Sequence, residues 1–175
     1  INEGTTAIGN YTFKNCTAVA SLTLPDGLLD IGISAFEELR SLTAVKLPDS
    51  ITTIRFEAFK NCVKLRKINY PLSLANVPTH NGYYDGPNYQ GQIFEGCTNL
   101  KKIEIPEGVT VIPVCALNGS TYLEEVVLPK TLATISNYAF YNCTNLEKVW
   151  IDENVTSIAG EAFGNCSALT IHGVE

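Results

Sequence analysis

Apolar residues recur along this chain at fixed places in a unit of 23 residues. Phenylalanine stands at Phe13, Phe36, Phe59, Phe94, Phe140 and Phe163, and Leu117 fills the one gap in the series. The steps are 23, 23, 35, 23, 23 and 23 residues; Pro25, Pro48, Pro71, Pro106 and Pro129 step by 23, 23, 35 and 23. Two unrelated residue types thus report one period and one 12-residue interruption. A period of this length marks a stacked architecture, because a unit so short cannot bury its own apolar face.

The unit spells out its elements. Before each proline the chain alternates, as in Leu22 and Leu24, Val45 and Leu47, Ile103 and Ile105, Val126 and Leu128, Val149 and Ile151. Alternation of this kind predicts a short strand with one buried face, which the proline ends because it has no N–H for the ladder. Asp26-Gly27 and Glu107-Gly108 then read as turns. A second apolar pair follows, such as Val109 with Ile112 or Leu132 with Ile135, and leads into the Ala-Phe step. No segment carries the apolar stripe of a three-turn helix, so only single helical turns are expected around Ala-Phe. Equivalent strands should pair in parallel at about 4.8 Å, with the Ala-Phe positions filling a central column.

Composition narrows the possibilities. The 175 residues are 45% hydrophobic and 17% charged, enough to build a core, and the net charge of −6 argues against a general nucleic-acid binder. No apolar run is long enough to enter a membrane as a helix. Two histidines leave little for acid–base or metal chemistry, and no phosphate loop, nucleophile elbow or zinc motif is present. The expectation is a protein that is not an enzyme, with no catalytic or metal residues and no cofactor. The chain has no methionine, begins at what aligns as the end of a strand, and breaks the strand register by one residue at Leu169 to Gly173. A longer parent protein is therefore expected, with this segment as one repeat domain over 1–175 that lacks caps.

The units LPDSITTIRFEAFKNCVKL at 47–65 and LPKTLATISNYAFYNCTNL at 128–146, with similar lines at 24–42 and 105–123, resemble BspA-like leucine-rich repeats of bacterial and some protist cell surfaces. The resemblance implies an α/β solenoid, a right-handed superhelix with short parallel strands. It would hold about seven 23-residue repeats and one insertion. It also implies a secreted or cell-surface module that binds or adheres, with protein partners such as host extracellular matrix, or glycans. The rival fold is the parallel β-helix of polysaccharide lyases, whose coils have three strands, not two and a turn. The rival functions are a structural spacer of a surface protein and a carbohydrate-active enzyme accessory.

Five of the six cysteines, Cys16, Cys62, Cys97, Cys143 and Cys166, stand three residues after the phenylalanine slot, where Leu39 and Ser120 take the other places. A slot shared with leucine is interior, so reduced thiols are expected. Cys115 falls out of phase and is expected to be exposed. Sequons occur at Asn10, Asn15, Asn118, Asn142, Asn154 and Asn165, and asparagine is read here as a turn former.

Two regions are candidates for binding. On the outer face of the strands one column reads Ser21, Ala44, Lys67, Lys102, Glu125, Lys148, and the next reads Thr23, Lys46, Asn69, Glu104, Val127, Trp150. Lys67, Lys102, Val127 and Trp150 are the residues singled out there. The second region is the insertion, 78–89, reading PTHNGYYDGPNY, where Tyr83, Tyr84, Asp85 and Tyr89 have the composition of a binding loop.

Overall fold

The computed structural model describes residues 1–72 and 92–173 of the chain. They form a parallel β-solenoid held by three lines of backbone hydrogen bonds running from repeat to repeat. One line is the strand that a proline follows in β3 (Ala44–Val45), β5 (Lys67–Ile68), β6 (Lys102–Glu104) and β8 (Glu125–Val127), and that continues as β10 (Lys148–Ile151) and β12 (Thr170–Gly173). A second is the strand before each Ala-Phe segment: β1 (Ala7–Ile8), β2 (Asp30–Ile31), β4 (Thr53–Ile54), β7 (Val111–Ile112), β9 (Thr134–Ile135) and β11 (Ser157–Ile158). All pairings are parallel, and β2 on β4 (Ile31 with Ile54) or β6 on β8 (Ile103 with Val126) keep the repeat register.

The third line runs through the Ala-Phe segment, which is neither strand nor helix. Phe36 N–H donates to Ala58 O at 2.8 Å, Leu117 to Ala139 at 2.8 Å and Phe140 to Ala162 at 2.8 Å. The expected helical turns are replaced by two left-handed residues per repeat, four positions apart. Ser34, Glu57, Gln92, Cys115 and Tyr138 take the first place, with φ between 49° and 58°; Asn15, Asn61, Gly96, Gly119, Asn142 and Asn165 take the second, with φ between 57° and 75°. Among the described residues there is no α-helix, so the α half of the α/β label gives way to a β-solenoid. The second place is where asparagine and glycine pay least for positive φ, which accounts for the recurring Asn before the cysteine slot.

Inside, the phenylalanines stack ring on ring. Centroids are 5.6 Å apart for Phe13–Phe36, 5.1 Å for Phe36–Phe59, 6.1 Å for Phe59–Phe94 and 5.0 Å for Phe140–Phe163. Leucines and isoleucines of both strand lines close around this column, and Phe36, Phe59, Phe140, Ile31, Ile54 and Leu65 are all fully buried. The strand lines break between β5 and β6 and between β4 and β7, on either side of the undescribed residues. The Ala-Phe line does not break: Phe59 N–H still donates to Ile93 O at 3.0 Å, and Asn61 to Glu95 at 2.8 Å.

The cysteine slot does more than fill space. Each thiol donates to the carbonyl of the central-column residue one repeat earlier: Cys62 to Phe36 at 3.2 Å, Cys97 to Phe59 at 3.1 Å, Cys143 to Leu117 at 3.2 Å and Cys166 to Phe140 at 3.0 Å. All six cysteines are free thiols. Burial raises the pKa of Cys97, and contact with the Cys166 thiol together with burial raises that of Cys143. Cys115 corrects an expectation: it is 6% exposed, because the left-handed turn at this slot folds a short side chain back against the stack, as it does Ser34 at 1%.

Ser120, the one hydroxyl in the thiol line, is buried with its Oγ unpartnered. The shorter C–O bond leaves the hydroxyl short of the carbonyl that a thiol reaches. Ser120→Cys should therefore raise the urea midpoint by an amount equivalent to about 1 kcal/mol; a lower midpoint would contradict the role given to the slot.

Candidate binding face

The strands before the prolines expose every second residue. In β6 and β8 the central residue is buried and both flanks are exposed; in β10 Val149 is fully buried, while Lys148 and Trp150 face out. Lys67, Lys102, Val127 and Trp150 all lie on this face, as the alternation predicts. Tyr83, Tyr84, Asp85 and Tyr89 lie outside the described residues.

The face is divided by its ion pairs. Lys102 Nζ sits 2.9 Å from Glu125 and 3.3 Å from Glu104, and Lys101 Nζ is 2.5 Å from Glu124. The hydrogen bond to Glu125, then that to Glu104, holds the Lys102 ammonium above its ordinary pKa. These lysines are therefore neutralised by carboxylates of their own and the neighbouring rung. Lys46, Arg66 and Lys67 have no ion pair among the described residues. Asn69, next to Lys46 in its column, is also occupied: its Oδ1 accepts from Leu47 N–H at 2.7 Å and its Nδ2 donates to Leu47 O at 2.9 Å. This side chain extends the β3–β5 pairing up to Pro48.

At the other end the surface is apolar. Trp150 is 57% exposed and Val127 40%, and the register Lys148 with Glu125 places them on neighbouring rungs. His172 completes the strip. β12 pairs with β10 as Thr170 with Lys148 and Trp150 with His172, so the last rung is one residue shorter. The imidazole stacks on the indole with centroids 4.7 Å apart and planes 27° from parallel. The one-residue break in register at Leu169 to Gly173 is what sets His172 beside Trp150. Among the described residues no three His, Cys, Asp or Glu side chains converge as a metal site requires, and no helix is long and apolar enough to cross a membrane.

With the stack and its open face in view, the comparisons with known proteins are direct. Six copies of the BspA type leucine rich repeat region match residues 1–82 and 89–173, and the chain belongs to that family. A leucine-rich repeat protein of Bacteroides ovatus superposes with a TM-score of 0.66 at 27% identity, covering 99% of this chain and 48% of that one. The leucine rich repeat protein of T. pallidum superposes with a TM-score of 0.67 at 25% identity over 94% of this chain and 72% of that one. One from Eubacterium ventriosum, at 23% identity and a TM-score of 0.67, shares the fold over 93% of this chain and 43% of its own length. The chain thus spans less than half of two of these three proteins. No curated protein sequence matches it.

Trp150 is the only tryptophan, so emission reports this strip alone. Its fluorescence should be quenched by iodide nearly as readily as that of a free indole, and His172→Ala should increase the quenching further. Resistance to iodide would mean that the strip is covered in solution.

Proposed function

We propose that this chain is a non-catalytic binding module, a single repeat domain over 1–175 of a cell-surface or secreted protein, whose partner is a protein or a glycan. The family match supports a repeat protein with a binding or surface role. The observation that carries the finer reading is the exposed strip of Val127, Trp150 and His172, set on strands whose inward residues are already fully used by the core. Nothing in the stack needs an indole there, and tryptophan is among the residues most enriched at interface hot spots. The test is capture of the chain on an immobilised panel of extracellular-matrix proteins and glycans. Trp150→Ala and Val127→Asp should abolish capture at unchanged thermal stability, whereas Lys14→Ala, on the Ala-Phe side, should not. If the two face variants are captured like the parent sequence, the face is not the working surface.

The insertion 78–89, with Tyr83, Tyr84, Asp85 and Tyr89, is proposed as an added contact region. The Ala-Phe hydrogen bonds pass unbroken from Phe59 to Ile93 across that stretch of sequence. Joining Val77 to Gln90 should accordingly leave the solenoid folded, as checked by far-UV circular dichroism and a cooperative melt. Reduced capture by that deletion would support the contact; undiminished capture would remove it.

A further inference from the structure

The structure says more about the partner than that one exists. The Trp150–His172 centroid distance of 4.7 Å equals the spacing between rungs of a parallel sheet, about 4.8 Å. The two rings therefore stand upright on the sheet, one per rung, and stack along the solenoid axis. One flat side of the indole is taken by His172, and Val127 stands one rung away on the other side. What Trp150 offers outward is its edge and its indole N–H. A sugar ring is recognised by laying its C–H face on an open aromatic face, and one face of this indole is already taken by His172. An aliphatic or aromatic side chain fits against such an edge, with a carbonyl or carboxylate accepting from the N–H.

The charges supply the second element. In the middle of the face, Lys101 and Lys102 are already paired with Glu124, Glu104 and Glu125. Lys46, Arg66 and Lys67 are not: Lys67 has Ala44 as its register partner, and Asn69 beside Lys46 spends both polar atoms on Leu47. Three cations on neighbouring rungs thus have no ion pair among the described residues, on a protein whose net charge is −6. From the rung of Lys46 to that of Trp150 is four rungs, roughly 20 Å at the parallel-sheet spacing. An extended segment of about six residues covers that distance.

We infer that the partner is an acidic protein segment lying across the strands, with carboxylates on Lys46, Arg66 and Lys67 and an apolar side chain against Val127, Trp150 and His172. This rests on the sheet-face reading above and narrows it to one class of partner. The ion-paired belt between the two ends, two lysines against three glutamates, offers an acidic segment no attraction and sets their separation.

The test uses Trp150 emission with defined probes: an eight-residue peptide with three glutamates at one end and Leu-Phe at the other, its glutamine counterpart, a sulfated oligosaccharide and a neutral one. The acidic peptide should shift the emission to the blue, with affinity falling about tenfold as salt rises from about 50 to about 300 mM. Lys46→Glu with Lys67→Glu should weaken it at least tenfold while leaving the emission of the free protein unchanged. Equal binding of the glutamine peptide, indifference to the double charge reversal, or no shift with the acidic peptide would each overturn the inference. A blue shift with either oligosaccharide but not with the peptide would overturn it while leaving the sheet-face reading intact. That reading fails separately, through unaffected capture of Trp150→Ala on the matrix panel.

Discussion

Each repeat in this chain has only its neighbours to fold against, and the contact must be made at the spacing of one backbone hydrogen bond. Inter-repeat bonds join residues about one period apart, whether in the strands, as Ala7 with Asp30, or in the Ala-Phe line, as Phe36 to Ala58, and a period plus the insertion where Phe59 reaches Ile93. From that constraint the rest follows. Interior side chains must be nearly the same from rung to rung, since each sits about 4.8 Å from its own equivalent. Phenylalanine meets the demand by offset stacking, and leucine at 117 meets it by volume. To bring that ring inside, the chain bends through two left-handed residues in each circuit. For residues other than glycine, such backbone costs about 1–2 kcal/mol each, and the flanking hydrogen bonds from both neighbours hold it in place.

The strand positions, their parallel pairing, the interior column and the exposed face were all legible, because period-2 alternation and a 23-residue repeat each leave one solution. What escaped the sequence was set by geometry that side-chain type does not encode. Ser34, Glu57, Gln92, Cys115 and Tyr138 share a slot without sharing any chemistry, because the slot is defined by φ and not by polarity. Reading its polar members as surface residues placed Cys115 outside, whereas the turn tucks Ser34 and Cys115 in and leaves Tyr138 half-buried. The Ala-Phe segment likewise looked like a helical turn, since two tight turns and one helical turn consume similar lengths of chain. On the face the columns were right, and the register that sets Lys102 beside Glu125 is the one in which they pair, at 2.9 Å.

The same constraint that fixes the interior leaves the outer strand positions free to differ, and they do differ in an ordered way. Along one column the residues pass from Lys46 through Asn69, Glu104 and Val127 to Trp150 and His172. A face selected only for solubility needs charge in every rung, which keeps strands apart from other strands. Here the most exposed large apolar side chain among the described residues, Trp150, stands on this face beside Lys148, and Lys46, Arg66 and Lys67 have no ion pair among the described residues. The exposed indole runs against solubility, and both features lie on the side of the stack that no core residue needs.

Stacking also determines how such a face recognises its partner. Upright side chains at fixed spacing form rows across the strands, so a partner reads one residue from each of several repeats. The strength of any one contact is modest, but the spacing between contacts is held by the whole hydrogen-bonded stack and cannot relax locally. Specificity then resides in the distance between the cationic end and the aromatic end, a quantity set by the number of rungs between them. That makes the repeat number itself a functional variable: adding or removing one unit moves the two ends by about 4.8 Å without altering any residue that a partner touches.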